Sequence, residues 1–326
     1  MKKRLACLLL ILALQLFLSG CSRPERQADR DMIKLGLLRV EDNLPFFAAE
    51  QDKLYEKYGL QVELVTFNSA RERDIALEAG EIDGGLADLL ATALFKKGGT
   101  HVKVVALGLG AAPEEGRFAI LSAPQSGITS PRQLRGVPVA VSYNTIIHYL
   151  AEEMLAAAGL KQNEISLQNI PDLSIRLDSL LAGKEVRAAL LPDPLAALAE
   201  KSGACAVIDD TRLGLNLSQT VIIFREDTLN TKPSAVKGVL STYQEAGANL
   251  NSHPQKYREL VLDKARIPKP LEDSYAIPHY SPLQLPTSEM VERVMKWMAG
   301  KGLLAKPYAF EELVEPAFIP RSGAKS

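Results

Sequence analysis

From residue 33 onward the chain alternates short apolar runs with longer segments in which apolar residues recur every three or four positions. Short apolar runs bounded by turn residues are typical of buried strands, and the longer period is typical of amphipathic helices. The pattern predicts a first set of strands at 33–38, 62–67, 84–86 and 102–107, with helices over 45–57, 70–79 and 89–97. It predicts a second set of strands at 137–141, 165–169, 188–191 and 206–208, with helices over 145–158, 174–182 and 194–201. Strands that alternate with helices of this length predict mostly parallel sheets flanked by helices, an α/β fold.

The two sets contain matching segments. Residues 79–91 can be aligned with residues 182–196: in each a helix ends at a glycine, a short strand follows, and an aspartate opens the next helix. Gly59 and Gly159 likewise each close a helix before a strand, where glycine supplies a left-handed cap. Two matches in the same order predict two lobes with a common plan.

Two further apolar runs, 118–121 and 221–224, predict hinge strands that are the only connections between two self-contained sheets. We therefore expect 33–119 and 225–320 to form lobe 1, and 120–224 to form lobe 2. In open parallel sheets, ligands bind beyond the carboxyl ends of the strands. Two lobes that face each other with those ends would form a cleft that closes by hinge motion.

The first twenty residues have the pattern of an export signal. Three basic residues precede an apolar stretch over 5–18, which is too short to span a bilayer comfortably and suits a secretory signal. Leu18-Ser19-Gly20-Cys21 follows at once and resembles the bacterial lipobox, after which the peptide is cleaved and the cysteine is lipidated. The alternative is an ordinary signal peptide with an incidental cysteine. We predict a signal over 1–20, lipidation at Cys21, and a flexible tether over 21–32 that holds the protein at the membrane.

Composition narrows the class of protein. The 326 residues are 47% apolar and 24% charged, as in soluble globular proteins, and the length favours two lobes. Thirty-eight basic and 39 acidic residues leave a net charge of −1, which gives no electrostatic footprint for nucleic acid. Of the three cysteines, Cys205 lies in an apolar run and is predicted to be a small buried residue.

Motifs for catalysis are missing from the sequence. It has no Walker-type Gly-Lys-Ser/Thr and no Gly-x-Ser-x-Gly elbow, and Gly108-Leu109-Gly110 lacks the third glycine of a dinucleotide loop. The four histidines are dispersed and lack metal-ligand spacing. We therefore predict no catalytic residue, no metal and no cofactor.

Polar residues at the predicted strand ends are the candidate ligand contacts. They are Arg39, Asn43, Asn68, Ser69, Asp88, Ser142, Tyr143, Asn144, Thr145 and Asp193. The group at 142–145 precedes the longest helix of the second set, whose free amides suit an anion or a dipole. Ser, Thr, Asn and Asp are also the usual helix N-caps, so Asp88 and Asp193 either contact ligand or only cap helices.

Several segments carry a family resemblance. Asn43-Leu44-Pro45-Phe46-Phe47-Ala48-Ala49, residues 55–63 and the lipobox resemble ABC-transporter substrate-binding proteins, and more narrowly the sulfonate, nitrate and thiamine-precursor group. Residues 76–85 are similar to that family's helix–glycine–strand segment, and Leu191-Pro192-Asp193-Pro194 to its acidic-proline segment. The likeness spans 33–318.

The resemblance implies a type II periplasmic-binding fold with two lobes, two hinge strands and one small-molecule ligand in the cleft. It implies a monomer anchored on the extracytoplasmic face of the membrane, either periplasmic or at the outer surface, with an ABC permease and its ATPase as partners. Two alternatives stay open: an extracytoplasmic enzyme on the same fold, and a receptor that presents its closed form to a sensor.

Different residues of the predicted cleft indicate different classes of ligand. Ser142-Tyr143-Asn144-Thr145 stands where many relatives have a small turn for anionic groups, and Tyr143 there could stack on a planar ligand. Asp88 and Asp193 beside it favour a nitrogen heterocycle such as a thiamine pyrimidine precursor. Arg39, Arg71 and the helix starts would instead suit a sulfonate or another small anion. The fold also hosts a pyrimidine-forming enzyme with a cysteine-rich motif, against which the lone Cys205 argues.

Overall fold

A computed structural model describes residues 32–217 and 219–319 of the chain. The predicted signal, the lipidation site at Cys21 and most of the tether lie outside the described residues. The strands, in chain order, are β1 Ile33–Leu38, β2 Val62–Phe67, β3 Gly84–Asp88, β4 Val102–Leu107, β5 Phe118–Ser122, β6 Pro138–Val141, β7 Ser166–Asn169, β8 Ala188–Pro192, β9 Cys205–Asp209 and β10 Thr220–Arg225.

The helices lie between and after these strands. In chain order they are α1 Leu44–Gln51, α2 Leu54–Lys57, α3 Ala70–Ala79, α4 Leu89–Gly98, α5 Ile146–Ala157, α6 Leu173–Ala182, α7 Leu195–Lys201, α8 Glu226–Thr231, α9 Pro233–Ser252, α10 Arg258–Lys264, α11 Ser288–Gly300 and α12 Phe310–Leu313. Across the described ranges, none of them is both long and apolar enough to cross a membrane.

The two sheets share one topology. The first has the strand order β2-β1-β3-β10-β4 and the second the order β7-β6-β8-β5-β9. In each, the fourth strand runs antiparallel to both neighbours, and the remaining strands are parallel to one another. The predicted α/β fold with two related lobes is confirmed.

Each predicted hinge strand lies wholly in the sheet that the chain enters, and neither is shared between the lobes. Val221 on β10 pairs with Ala87 on β3 and Leu107 on β4, so assigning residues 220–224 to lobe 2 is wrong. At the other crossing, β5 already pairs with β8 and β9 from Phe118 onward, so residues 118 and 119 lie in the second sheet. Each of these strands is inserted between two neighbours of the sheet it enters, and the chain therefore crosses before the strand begins.

The predicted helix over 45–57 is two helices. The break falls at Lys53, whose backbone is left-handed with φ 53°. The turn brings Leu54 and Tyr55 back into the core, where the Tyr55 hydroxyl donates to the Phe46 carbonyl at 3.1 Å. Sequence periodicity did not reveal the break because apolar residues lie on both sides of it.

Helix α11 connects the two lobes. One cluster of buried apolar side chains includes Val104 of the first sheet, Leu190 of the second, Met154 on α5 and Met295 on α11. Helix α11 packs on α4 of lobe 1, and its Trp297 ring meets the Tyr149 ring of α5 edge-on at 5.7 Å. Helix α11 therefore packs against both lobes, in addition to the two crossings of the chain between them.

Cys205 is half-buried, not buried as predicted. It opens β9, which lies at the edge of the second sheet, so one side of the strand has no neighbouring strand to cover it.

Candidate functional site

A cavity of about 480 Å³ lies between the lobes, within the range typical of small-molecule sites. Lobe 1 lines it with residues of α3 and of the β3–α4 junction, and lobe 2 with the start of α5 and the β7–α6 connection. A wider depression of about 640 Å³ lies on the outer side of lobe 1, against α2 and α9, away from the strand ends that face lobe 2. The interlobe cavity is therefore the candidate site.

Four of the ten predicted contacts line this cavity: Asp88, Ser142, Asn144 and Thr145. Asp88 caps α4, since its Oδ1 accepts from the Ala91 amide at 2.8 Å. Thr145 caps α5, since its Oγ1 accepts from the Ile147 amide at 3.2 Å. Two helices therefore begin at the cavity, one from each lobe, and the positive ends of their dipoles face it.

Tyr143 lies beside these residues on the surface of lobe 2. Its side chain is 41% exposed, its hydroxyl donates to the Leu167 carbonyl at 2.8 Å, and its ring lies 5.1 Å from that of His148. The ring is thus held against its own lobe, and its stacking on a ligand stays a prediction.

Three other predicted contacts are not among the lining residues. Arg39 lies close enough to Asp263 of α10 to act electrostatically on its carboxylate. Asn68 and Ser69 are exposed at the start of α3, where the Ser69 hydroxyl accepts from the Glu72 amide at 3.2 Å. Their contact with a ligand stays a prediction.

Two buried arginines at the cavity were missed by sequence reasoning. Arg73 and Arg176 are each the fourth residue of their helix, α3 and α6. Each Nη1 donates to a carbonyl of the adjacent strand, at Leu86 and Leu190, and Arg73 also pairs with Asp74. Burial lowers the pKa of Arg176 to about 10. The internal repeat could have revealed these two arginines, because each stands six residues before the first residue of its aligned segment.

Asp193 is held in a network of charges on lobe 2. Its Oδ1 accepts from the Ala197 amide of α7 at 3.1 Å and from Arg117 Nη1 at 3.4 Å. Arg117 also donates to Asp209 and to Glu200, each at 2.8 Å. Asp193 therefore caps a helix, as one reading of the sequence predicted, and shares a single guanidinium with two other carboxylates.

The loop after β1 carries two acidic residues that sequence reasoning passed over. The Glu41 side chain accepts a hydrogen bond from the Tyr275 hydroxyl, and the Glu41 carbonyl accepts one from the Tyr280 hydroxyl at 2.7 Å. Burial, followed by the charges of Asp193 and Asp42, raises the pKa of Glu41 well above its usual range. Because Asp193 belongs to lobe 2, the Glu41 carboxyl lies within electrostatic range of the other lobe.

Asp42 and Asn43 form a pair beside Glu41. Asn43 Nδ2 donates to Asp42 Oδ1 at 3.0 Å. Burial raises the pKa of Asp42 to about 6, although the charge of Arg73 lowers it. Asn43 is 1% exposed, and its Oδ1 has no hydrogen-bond partner among the residues at 32–217 and 219–319.

Several carboxyl groups lie near the junction of the two lobes, and burial raises the pKa of four of them. Buried Glu115 accepts from the Ala111 amide at 2.9 Å and from the Ser281 hydroxyl. The carboxyl groups of this region are those of Glu41, Asp42, Asp88, Glu115 and Asp193. Two arginines beside them are engaged, Arg73 with Asp74 and Arg117 with three carboxylates.

The parts of the chain that the structure describes contain no group of three or more His, Cys, Asp or Glu side chains placed to hold a metal ion.

The fold and the position of the cavity define the class: two lobes of the periplasmic binding protein fold with a ligand-sized space between them. The chain belongs to the NMT1-like family, whose model matches residues 26–262. A curated relative, an ABC transporter periplasmic binding protein of Brachyspira hyodysenteriae, is 24% identical over 271 residues, covering 78% of this chain and 76% of that protein.

Solved structures agree with this fold. The aliphatic sulphonate-binding protein SsuA of Escherichia coli superposes with a TM-score of 0.73 at 20% identity, covering 89% of this chain and 94% of that chain. The ligand-binding component of an ABC-type import system from Staphylococcus aureus gives a TM-score of 0.73 at 20% identity, covering 90% of this chain and 100% of that chain. The desulfurization enzyme DszB shares the fold with a TM-score of 0.64, so the fold alone does not separate binding proteins from enzymes.

Proposed function

We propose that this protein is an extracytoplasmic substrate-binding protein that captures a small solute between its lobes and delivers it to an ABC importer. The observation that carries the proposal is the interlobe cavity, which both lobes line at the ends of their strands and helices. Membership of the NMT1-like family and the similarity to a periplasmic binding protein over most of both chains support it.

The proposed mechanism is closure around the ligand. A ligand that touches Asp88 on lobe 1 and Thr145 on lobe 2 binds the closed form better than the open one, and therefore shifts the population towards closure. The two crossings before β5 and β10 absorb the change in backbone angles, while α11 keeps its packing on α5. The closed form then docks on the permease, and no covalent bond is made or broken.

The proposal includes a lipid anchor at Cys21. Its support is the sequence Leu18-Ser19-Gly20-Cys21 at the end of an apolar stretch. The tether that follows would leave the lobes free to reach a permease in the same membrane.

For the ligand we propose a nitrogen heterocycle such as a thiamine pyrimidine precursor. The excess of carboxyl groups where the lobes meet supports it, since such groups accept from ring and amino N–H donors. The second candidate is a sulfonate. Two helix N-termini and the buried Arg176 line the cavity and favour an anionic group there.

Calorimetric titration separates these candidates. We expect the purified protein to bind 4-amino-5-hydroxymethyl-2-methylpyrimidine with 1:1 stoichiometry and ethanesulfonate weakly or not at all. Binding of ethanesulfonate alone would retain the binding-protein function and replace the ligand class. Turnover of either compound would favour the enzyme alternative. Unchanged cellular uptake of the bound compound after deletion of the gene for this protein would favour the sensor alternative.

A further inference from the structure

His148 on α5 connects the cavity rim, which consists of residues 142–145, with α11. Its Nδ1 accepts a hydrogen bond from the Asn144 amide at 3.2 Å, and Asn144 lines the cavity. Its Nε2 lies 3.4 Å from Glu152 Oε1, and its ring meets the Trp297 ring of α11 edge-on at 5.0 Å. One half-buried side chain therefore contacts both the cavity rim and the helix that packs against both lobes.

Asn144 has a backbone conformation that its neighbours must hold. Its φ of 60° lies in the left-handed region, which residues other than glycine seldom adopt. Elsewhere in the cavity rim, the Thr145 hydroxyl donates to the Ser142 carbonyl at 2.7 Å, and the Tyr143 amide donates to Asn169 Oδ1 at 2.9 Å. The bond from the Asn144 amide to the imidazole fixes the residue between these two anchors.

The contacts of His148 fit a neutral imidazole. Because Nδ1 accepts from the Asn144 amide, it carries no hydrogen, and the hydrogen of the neutral ring lies on Nε2, which faces the Glu152 carboxylate. A proton added to Nδ1 would turn this atom into a donor, so that two N–H groups would face each other. The contact with Glu152 would persist, because the ring would then be charged. Protonation therefore breaks the contact with the cavity rim and keeps the one towards α11.

We infer that His148 is a positioning residue of the ligand site: the neutral ring holds the cavity rim in place against α11, and protonation of the ring releases the rim. The inference rests on the proposed function, because the cavity rim belongs to the proposed ligand site. The rim is thus preorganised for a solute above the pH at which the ring gains its proton and loosened below that pH.

The groups around the ring act on its protonation in opposite directions. Glu152 on α5 favours the charged ring, whereas Lys301 on α11, whose Nζ donates to Glu152 Oε1 at 2.6 Å, opposes it. The cavity rim contributes the Tyr143 ring at 5.1 Å, and α11 contributes the uncharged indole of Trp297. A histidine is the side chain that ordinarily changes its charge between pH 5 and 8, so this range contains the test.

The test is NMR of the ¹⁵N-labelled free protein between pH 5 and 8, which does not depend on the identity of the ligand. It follows the Asn144 amide and the indole N–H of Trp297, the single tryptophan, which donates to Glu152 Oε2 at 2.8 Å. In the wild type both resonances should shift with one midpoint. Protection of the Asn144 amide from hydrogen exchange should fall about threefold to tenfold on protonation, as expected for the loss of one hydrogen bond.

Three variants separate positioning from a structural role. His148→Asn keeps an acceptor near the Asn144 amide but does not titrate, so both resonances should be independent of pH and the amide should stay protected. His148→Leu removes the acceptor, so the Asn144 amide should be about threefold to tenfold less protected at every pH. The control is His253→Leu, which changes an exposed histidine of lobe 1 and should leave the titration as in the wild type.

Three outcomes would overturn the inference. Equal protection of the Asn144 amide in the wild type and in His148→Leu would show that the imidazole does not hold the cavity rim. A pH profile of His148→Asn that matches the wild type would assign the titration to another group. Loss of protection along the whole of α5 in His148→Leu would assign the ring a structural role in the helix. Failure to bind the pyrimidine or ethanesulfonate, by contrast, would count against the proposed ligands and leave these three readouts unchanged.

Discussion

Glu152 on α5 is the polar link between lobe 2 and α11, and its replacement by glutamine tests that link. The Glu152 carboxylate accepts from Trp297 Nε1 at 2.8 Å and from Lys301 Nζ at 2.6 Å, and His148 lies 3.4 Å away. Burial alone would raise the pKa of Glu152, but these three groups lower it from 4.5 to about 2.

The size of the effect follows from this shift. The difference between a pKa of 4.5 and one of about 2 corresponds to about 3 kcal/mol, and the carboxylate is only about one-tenth exposed, so solvent screens it little. Glutamine retains one acceptor oxygen but loses the charge that pairs with Lys301. We therefore expect Glu152→Gln to lower the free energy of unfolding at pH 7 by about 2 kcal/mol, measured by urea denaturation.

The control is Glu153→Gln, the same change one residue along α5. Burial raises the pKa of Glu153, with Arg293 opposing it, so loss of this charge should leave stability unchanged or slightly higher. Because the folded-state pKa of Glu152 is lowered, its contribution is complete above pH 4.5 and is lost as the pH falls towards 2. The gap between wild type and Glu152→Gln should therefore narrow at pH 3. Equal urea midpoints for the two variants at pH 7 would refute the link.

Two further expectations concern other parts of the chain. Gly85→Ala should lower the free energy of unfolding by at least about 1–3 kcal/mol, because a Cβ there would lie 2.3 Å from the Gly36 carbonyl oxygen. The control is Gly98→Ala, whose Cβ would meet nothing within 4 Å, and equal melting temperatures of the two variants would refute the close approach of β1 and β3. Cys21→Ala should leave the protein unprocessed or released from membranes, and normal processing with membrane fractionation would refute the lipid anchor.

The fold was largely predictable from the sequence because its strands are short apolar runs closed by turn residues. The repeat of 79–91 in 182–196 also predicted the common plan of the two sheets, since both segments form the same helix–glycine–strand unit. The place of β10 was not predictable, because an apolar run at 221–224 fits a central strand of either sheet. The bridging position of α11 depends on tertiary packing that periodicity does not encode.

The site was predicted in part. Capping residues at strand ends, such as Asp88 and Thr145, follow from local chemistry and were found at the cavity. Glu41 and Asp42 were missed because nothing in a short acidic loop signals burial. Glu41 is bonded by Tyr275 and Tyr280, more than two hundred residues along the chain, which only the folded structure brings to that loop.

The most direct test of the solute-binding account is mass spectrometry of the small molecule released from protein purified without denaturation. The account predicts one small solute, present at up to one equivalent, and the proposed ligand class predicts that this solute carries an N–H donor group. Recovery of a sulfonate would replace the ligand class, and recovery of no small molecule in stoichiometric amount would contradict the account.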